Sequence, residues 1–397
     1  MTEKLYNDNV MLKECTATVL ACEEKDDKFL VELDRTVIFP EGGGQLSDRG
    51  KINDVNVLHA SEKEGRIFHE CDQPLEVGAQ VTVTLDWAVR LDRMQQHCGE
   101  HILSFVCWKL FDSQNIGFHM NEDFVTVDLD KALTEEELLQ VEQATNAIIW
   151  ENRPINVLNL ESEEAAKLSM RKFNANLKGI LRIVAVEGAD VCTCCGTHPP
   201  FTGMVGCMKI IRAERRKQGQ RLEILCGARA MADYAKKNDI LHNLATNLSS
   251  KVDEVPERFA KMKEEISNLT EVVKEKTAKL LDIEIQETLA GAEVRADGAK
   301  LLHLVLDDAK NGKNLMPKLG ALENVVSVVL AVQPERISYF VALGKNTAGD
   351  CRAYIKLLND TFGGRGGGKP DGAQGGADFC PNWQEKLDEV LAQLKEL

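Results

Sequence analysis

Along the first 90 residues, apolar positions come in short β-prone runs at residues 17–22, 28–33, 65–70 and 80–85, separated by polar turns. Several short strands at this spacing predict a small barrel. From Trp87 the periodicity turns helical, and a predicted helix over residues 90–111 carries His97 and His101. A strand is predicted at 124–129. Thr134 with Glu137 three residues on forms a capping box that opens a helix running to Asn152. Residues 181–186 predict a strand that enters a cysteine cluster. Residues 207–212 and 221–226 predict a hairpin around a basic turn. This second block reads as α+β.

From residue 229 to about 288 the pattern is helical throughout, with Pro256 suited to the first turn of a second helix. Phe259, Met262, Ile266, Leu269, Val273, Leu280 and Ile283 follow an alternating three–four spacing, with Lys276 as the polar interruption. Such a seam fits a helix packed on its own protein, and equally a coiled-coil spacer or dimer seam. Beyond it, apolar strands at 301–306, 325–330 and 337–343 alternate with helical stretches, an α/β pattern. The predicted organisation is therefore α+β overall: a barrel-like domain at 1–90, a metal-binding domain at 91–230, a helical linker at 231–290 and an α/β domain at 291–397.

Composition narrows the class. The chain has 397 residues, 44% of them hydrophobic, enough for two or three domains with their own cores. It shows no apolar run long enough for a bilayer and no basic-then-apolar leader. Its 12 cysteines then read as reduced thiols of a cytoplasmic protein. A net charge of −15 argues against broad nucleic-acid affinity. One local exception holds Lys209, Arg212, Arg215, Arg216, Lys217 and Arg221. That stretch is either a solvated hairpin edge or a contact for a polyanion.

Candidate chemistry centres on two pairs. His97 and His101 are four residues apart, so a helix puts both imidazoles on one face. Cys194 and His198 repeat the spacing across Gly196. Three imidazoles and a thiolate suit Zn²⁺. The alternative is a pair of core histidines beside an unrelated thiol cluster. Cys192 and Cys195 compete with Cys194 for the sulfur position, which Cys194 takes on spacing. Four protein donors would close the shell, whereas three and a water would leave it reactive. Glu100 sits beside His101 on the predicted helix, and this adjacency points it away from the catalytic set.

Two glycine runs add to the picture. Gly42, Gly43 and Gly44 follow a predicted strand and form either a tight barrel turn or an open backbone for a ligand. Residues 363–376 hold Arg365 and Lys369 among many glycines. Exposed amides with two cations suit a phosphate or an RNA backbone.

Assembled, these residues resemble the freestanding alanyl-tRNA editing proteins, relatives of the editing domain of alanyl-tRNA synthetase, over nearly the whole chain. Residues 36–45 (TVIFPEGGGQ) resemble that family's glycine motif, and residues 93–101 (RMQQHCGEH) its first metal motif. Residues 194–198 (CCGTH), followed by Thr202 and Gly203, resemble the second. Residues 225–234 resemble the exit from the editing domain. Residues 363–376 resemble the C-terminal, tRNA-associated DHHA1-type domain shared with the synthetase and the DHH phosphoesterases.

The resemblance implies zinc held by His97, His101, Cys194 and His198, which would also carry catalysis. It implies hydrolysis of tRNA(Ala) mischarged with serine, and with glycine as a further substrate. Gly42, Gly43, Gly44 and Gln45 would face the substrate, joined by His119 unless that residue is structural. Arg212, Arg215, Arg216, Lys217, Arg365 and Lys369 would grip the tRNA. The helical seam leaves open a homodimer through that segment or the C-terminal domain. Two departures stand out: Cys195 replaces a glycine of the second metal motif, and no DHH triplet is present. The absence of an aminoacylating domain implies editing without synthesis. The rival readings are a non-catalytic RNA-binding protein with a structural zinc, and a general zinc esterase acting on small esters.

Overall fold

The structure, a computed structural model, describes residues 1–171 and 178–396. It divides into two compact units, Met1–Val252 and Asp253–Leu397. Both mix helices and sheets, as the patterning predicts.

The first unit begins with a closed six-stranded antiparallel barrel. Its order is Glu14–Lys25, Lys28–Leu33, Arg66–Cys71, Val55–Lys63, Gly50–Ile52 and Gln80–Leu85, which returns to the first strand. Inward positions alternate along the strands and fill the barrel with Val19, Val31, Leu33, Val57, Ile67 and Val83. His69 and Thr36 are polar groups buried among them. His69 is fully enclosed, bonded through Nδ1 to Val31 O at 3.1 Å and through Nε2 to Thr36 Oγ1 at 2.9 Å.

The expected boundary near residue 90 is a change of architecture inside this unit. Asp86 caps the helix Trp87–Phe111 by accepting from the Ala88 and Val89 amides. One turn in, the fully buried Arg90 donates to Asp48 Oδ2 and to the carbonyls of Val37 and Val10. These contacts fasten the helix start to the barrel. Removing one partner of such a buried pair costs about 3–5 kcal/mol.

The helix packs on a four-stranded antiparallel sheet of order Met208–Arg215, Gln220–Cys226, Val125–Leu129 and Asn115–Met120. Gly99 permits the close approach, since a Cβ there would lie 2.2 Å from Cys226 Sγ. The helix Glu135–Trp150 carries the full capping box of Thr134 and Glu137. A small sheet of Ile155–Glu161, Ile180–Val186 and Val191–Thr193 delivers the cysteine cluster. The basic turn is a hairpin, as expected.

The helical stretch expected from 229 to 288 is broken. Helix Gly227–Asn247 belongs to the first unit, and helix Val255–Ala290, with Pro256 in its first turn, opens the second. Along the latter, Phe259, Ile266, Leu269, Val273 and Leu280 are all exposed, so the seam is not packed on its own unit.

The second unit carries a six-stranded sheet of order Glu293–Val294, Lys300–Leu306, Val325–Val332, Arg336–Leu343, Gly372–Asp378 and Arg365–Lys369. Only Lys300–Leu306 and Val325–Val332 pair in parallel, so this block is mixed rather than a parallel α/β sheet. Val325–Val332 is apolar on both faces because each face is covered. Tyr354, Ile355 and Leu358 cover one face, while Leu315, Leu319 and Ile285 cover the other.

The glycine run is a hairpin of the edge strand Arg365–Lys369 on Gly372–Asp378, which also pairs with Arg336–Leu343. Its glycines allow close backbone contact: a Cβ on Gly366 would lie 2.4 Å from Gly375 Cα, and one on Gly364 would lie 2.2 Å from Tyr339 Oη.

Candidate metal centre

The histidine helix and the loop after Val191–Thr193 converge on one point. The donor atoms of His97, His101, Cys194 and His198 all lie within 4.8 Å of one another. Cys194 Sγ is 3.3 Å from His97 Nε2 and 3.4 Å from His198 Nε2. The three imidazoles crowd each other, with ring centroids 4.6–5.0 Å apart.

What lies behind the rings decides which nitrogen faces inward. His97 Nδ1 bonds Gln45 Oε1 at 2.8 Å, and His101 Nδ1 bonds Asp190 Oδ2 at 3.0 Å. Protons on both Nδ1 atoms leave the Nε2 lone pairs directed at the cluster, the arrangement a metal requires. Gln45 is fully buried, and its Oε1 also accepts from Thr197 N while its Nε2 donates to Thr197 Oγ1. Gln45 therefore lies behind His97 and is not part of the cavity lining. Asp190 in turn is gripped by Arg171 through Nε and Nη2.

The electrostatics of the cluster differ from group to group. Burial alone would raise the Cys194 thiol, but the imidazoles of His97, His198 and His101 bring it well below its usual value. Burial holds His198 neutral, with its pKa lowered to about 3. Burial opposes ionisation of Asp190, yet His101 and Arg171 hold it down to about 2. His101, Asp190 and Cys192 form a second close set, on the Nδ1 side of the His101 ring. Burial pushes the Cys192 thiol up, so that set backs His101 with one carboxylate and a neutral thiol.

The three candidate sulfurs thus separate. Cys194 sits among the imidazoles, Cys192 behind His101, and Cys195 is exposed at the cavity wall.

The glycine motif meets this loop. Gly42 and Gln45 exchange backbone hydrogen bonds around Gly43 and Gly44, whose φ values of +61° and +82° only glycine adopts easily. A Cβ on Gly44 would lie 2.6 Å from Phe118, and one on Gly196 would lie 2.2 Å from the His97 ring and 2.7 Å from Gln45 Oε1. The turn and the loop interlock because these positions lack side chains.

A cavity of about 650 Å³ opens onto the cluster, lined also by Glu100, Asn115, Phe118, Arg171, Arg182 and Cys195. Phe118 tilts against His97 with centroids 5.3 Å apart. His119, the next residue, is exposed and takes no part in this wall, because side chains alternate along a strand. Sequence reasoning placed Glu100 elsewhere, yet the helix turns it into the cavity. It also missed Arg171, Arg182 and the role of Asp190. An acid four residues before Cys194 is the available clue to Asp190, since metal-binding histidines commonly donate to a carboxylate.

The expected tRNA-binding cations fall in two settings. On the hairpin, Lys209 pairs with Glu142, Arg212 with Glu223, Arg216 with Glu214 and Arg221 with Asp128. Arg215 and Lys217 form no ion pair among the described residues. In the second unit, Arg365 joins Lys310, Lys313 and Arg336 around a groove of about 510 Å³ with no acid in its lining. Lys369 is exposed on the edge strand. Among the described residues no helix is long and apolar enough to cross a membrane.

Comparison with known proteins agrees with the geometry. The family model for the threonyl and alanyl tRNA synthetase second additional domain matches residues 181–223, which include the metal loop. The alanyl-tRNA editing protein AlaX-L of Pyrococcus horikoshii is 30% identical, over 100% of this chain and 99% of its own. The alanyl-tRNA editing protein Aarsd1 of Mus musculus is 30% identical over 68% of each chain. The alanine–tRNA ligase of Pyrococcus abyssi is 28% identical over 99% of this chain, which spans only 44% of the ligase. With full-length similarity to an editing protein, and the synthetase domain model falling on the loop that carries Cys194 and His198, the chain belongs to the alanyl-tRNA editing protein family.

Proposed function

We propose that this protein hydrolyses the ester linking a wrong amino acid, mainly serine, to the 3′ end of tRNA(Ala), at a zinc ion held by His97, His101, Cys194 and His198. The observation that carries this reading is the buried cluster of three imidazoles and one thiol at the wall of an open cavity. The donor set fits zinc, because the Nε2 atoms and the sulfur converge while Gln45 and Asp190 hold the opposite ring nitrogens. Zinc bound there would supply a Lewis acid for the ester carbonyl and the attacking water.

The chain's own residues do the rest. Gln45 and Asp190 hold two rings in orientation. Arg182 donates to Cys194 O at 2.7 Å and to Gly196 O at 2.9 Å, which fixes the metal loop. Water adds to the carbonyl carbon, the bond to the ribose oxygen breaks, and that oxygen leaves with a proton. The cavity volume suits a small amino acid together with the terminal nucleoside. A pocket that hydrogen-bonds the serine hydroxyl would discriminate strongly against alanine. Four donors could also close a purely structural site; the cavity that opens onto the cluster favours catalysis.

The cations around the C-terminal groove would contact tRNA phosphates, with the hairpin cations, largely paired already, in a lesser role. The test is to incubate the protein with Ser-tRNA(Ala) and Ala-tRNA(Ala), with and without a chelator. Chelator-sensitive release of serine alone is expected. Equal cleavage of both substrates, or of neither, rejects the proposal.

A further inference from the structure

We infer that Glu100 receives the α-ammonium group of the aminoacyl ester, making a free amino terminus a requirement of the pocket. This rests on the deacylase reading of the same cavity.

Glu100 is the one carboxylate that lines the cavity among the described residues; the other charged groups of the wall are the guanidiniums of Arg171 and Arg182 beside the imidazoles. It is only 4% exposed. Its Oε1 accepts from Ser104 Oγ at 2.5 Å and from Asn115 Nδ2 at 2.6 Å, and Asn115 also donates to Ser104 Oγ at 2.9 Å. This triangle locks the side chain by one oxygen. Oε2 has no hydrogen-bond partner among the described residues.

Arg171 is the adjacent cation, but its Nε and Nη2 are taken by Asp190. Oε2 is therefore the oxygen left to meet a cationic or hydrogen-donating group that enters the cavity.

Every aminoacyl-tRNA brings such a group. Whatever the side chain, the α-amino nitrogen sits one carbon from the ester carbonyl, and it is largely protonated near neutral pH. Glu100 precedes His101 directly on the helix, so a substrate tethered at Glu100 has its carbonyl held beside the donor cluster. Fixing the reacting carbon in this way is a positioning effect that lowers the barrier. It would also select against esters whose nitrogen is acylated, such as peptidyl-tRNA, which carry no charge there.

The test compares Ser-tRNA(Ala) with N-acetyl-Ser-tRNA(Ala) on the full-length protein and on Glu100→Gln, an isosteric change that keeps an acceptor for Ser104 and Asn115. The wild type is expected to prefer the free-amine substrate. Glu100→Gln is expected to lose about 10- to 100-fold in kcat/KM on that substrate, mostly through KM, with little change on the acetylated one. Equal loss on both substrates overturns the inference and marks Glu100 as structural or as a base.

A measurement on the wild type stands apart from folding of the variant. Competitive inhibition by a non-hydrolysable seryl-amide of 3′-amino-adenosine is compared with its analogue lacking the α-amino group. Weaker inhibition by the desamino analogue supports the inference, and equal inhibition overturns it. If the wild type cleaves Ser-tRNA(Ala) but ignores N-acetylation, only this inference falls. If it cleaves neither ester, the deacylase reading falls as well.

Discussion

The two units treat polar side chains in opposite ways. Among the described residues, every buried polar or charged side chain except Arg295 and Ser327 lies in the first unit. There, most are held by named partners: Gln45 on His97, Asp190 on His101, Arg171 on Asp190, Arg90 on Asp48. In the second unit the distinctive polar groups are exposed cations around a groove, without acids in its wall. Buried polar networks are expensive to hold and rigid once satisfied, which suits aiming donors at a reaction centre. Exposed cations remain hydrated and adaptable, which suits a long polyanion. Under the proposed function, the difference would separate chemistry from grip.

The largest expected effect is at the donors. Cys194→Ala should lower bound zinc, measured by atomic emission, and reduce Ser-tRNA(Ala) hydrolysis to background. Lys310→Gln with Arg336→Gln should leave zinc content untouched. If the two variants behave alike, the separation of roles fails.

Next comes pH. His69 is buried and neutral, its pKa lowered by burial from 6.5 to about 4. The unfolded chain therefore takes up this proton first as pH falls. The contribution to stability is fully present above about 6.5 and is lost as pH drops towards 4, by an amount of order 3 kcal/mol. Urea unfolding of the wild type should show this loss, and His69→Gln should flatten it. The second unit contains one histidine, His303, and it is exposed, so unfolding monitored there should lack the effect.

Smaller again, Gln45→Ala should cost about 10- to 100-fold in zinc affinity or in hydrolysis, without loss of any metal donor. Unchanged activity would show that the His97 ring is held by packing alone. Lys310→Gln with Arg336→Gln should reduce the slope of tRNA affinity against salt by about one per removed phosphate contact. Smallest of all, Arg212→Gln with Arg216→Gln should change tRNA affinity by less than about fivefold, because both side chains already sit in surface ion pairs. A larger effect on the hairpin than on the groove would reverse the assignment of grip.

Much of the local structure is readable from periodicity. The alternation of Val81, Val83 and Leu85 marks a barrel strand, and the capping box at Thr134 marks a helix start. The helical spacing of His97 and His101 puts both on one face before any tertiary contact is known. Other features depend on packing and leave no local mark. The family resemblance implies Gln45 as a substrate contact, yet barrel packing brings it behind a ring 52 residues away. Glu100 reads as directed away because it neighbours His101. The cavity nevertheless reaches both, since it spans more of the helix surface than one ridge of side chains. The glycine run at 363–376 reads as exposed amides beside two cations, and the structure pairs it as a strand hairpin in which neighbouring backbone leaves no room for a Cβ at Gly366 and Gly368.

By itself, then, the sequence determines the elements, the donor types and the family resemblance, because periodicity and short motifs are properties of neighbouring residues. Tertiary structure alone decides which cysteine meets the three imidazoles, which nitrogen each of His97 and His101 turns inward, and which carboxylate faces the cavity. Those outcomes depend on contacts between segments 50 to 100 residues apart, such as Cys194 with His97 and Asp190 with His101. Chain folding fixes such contacts, and no local spacing encodes them.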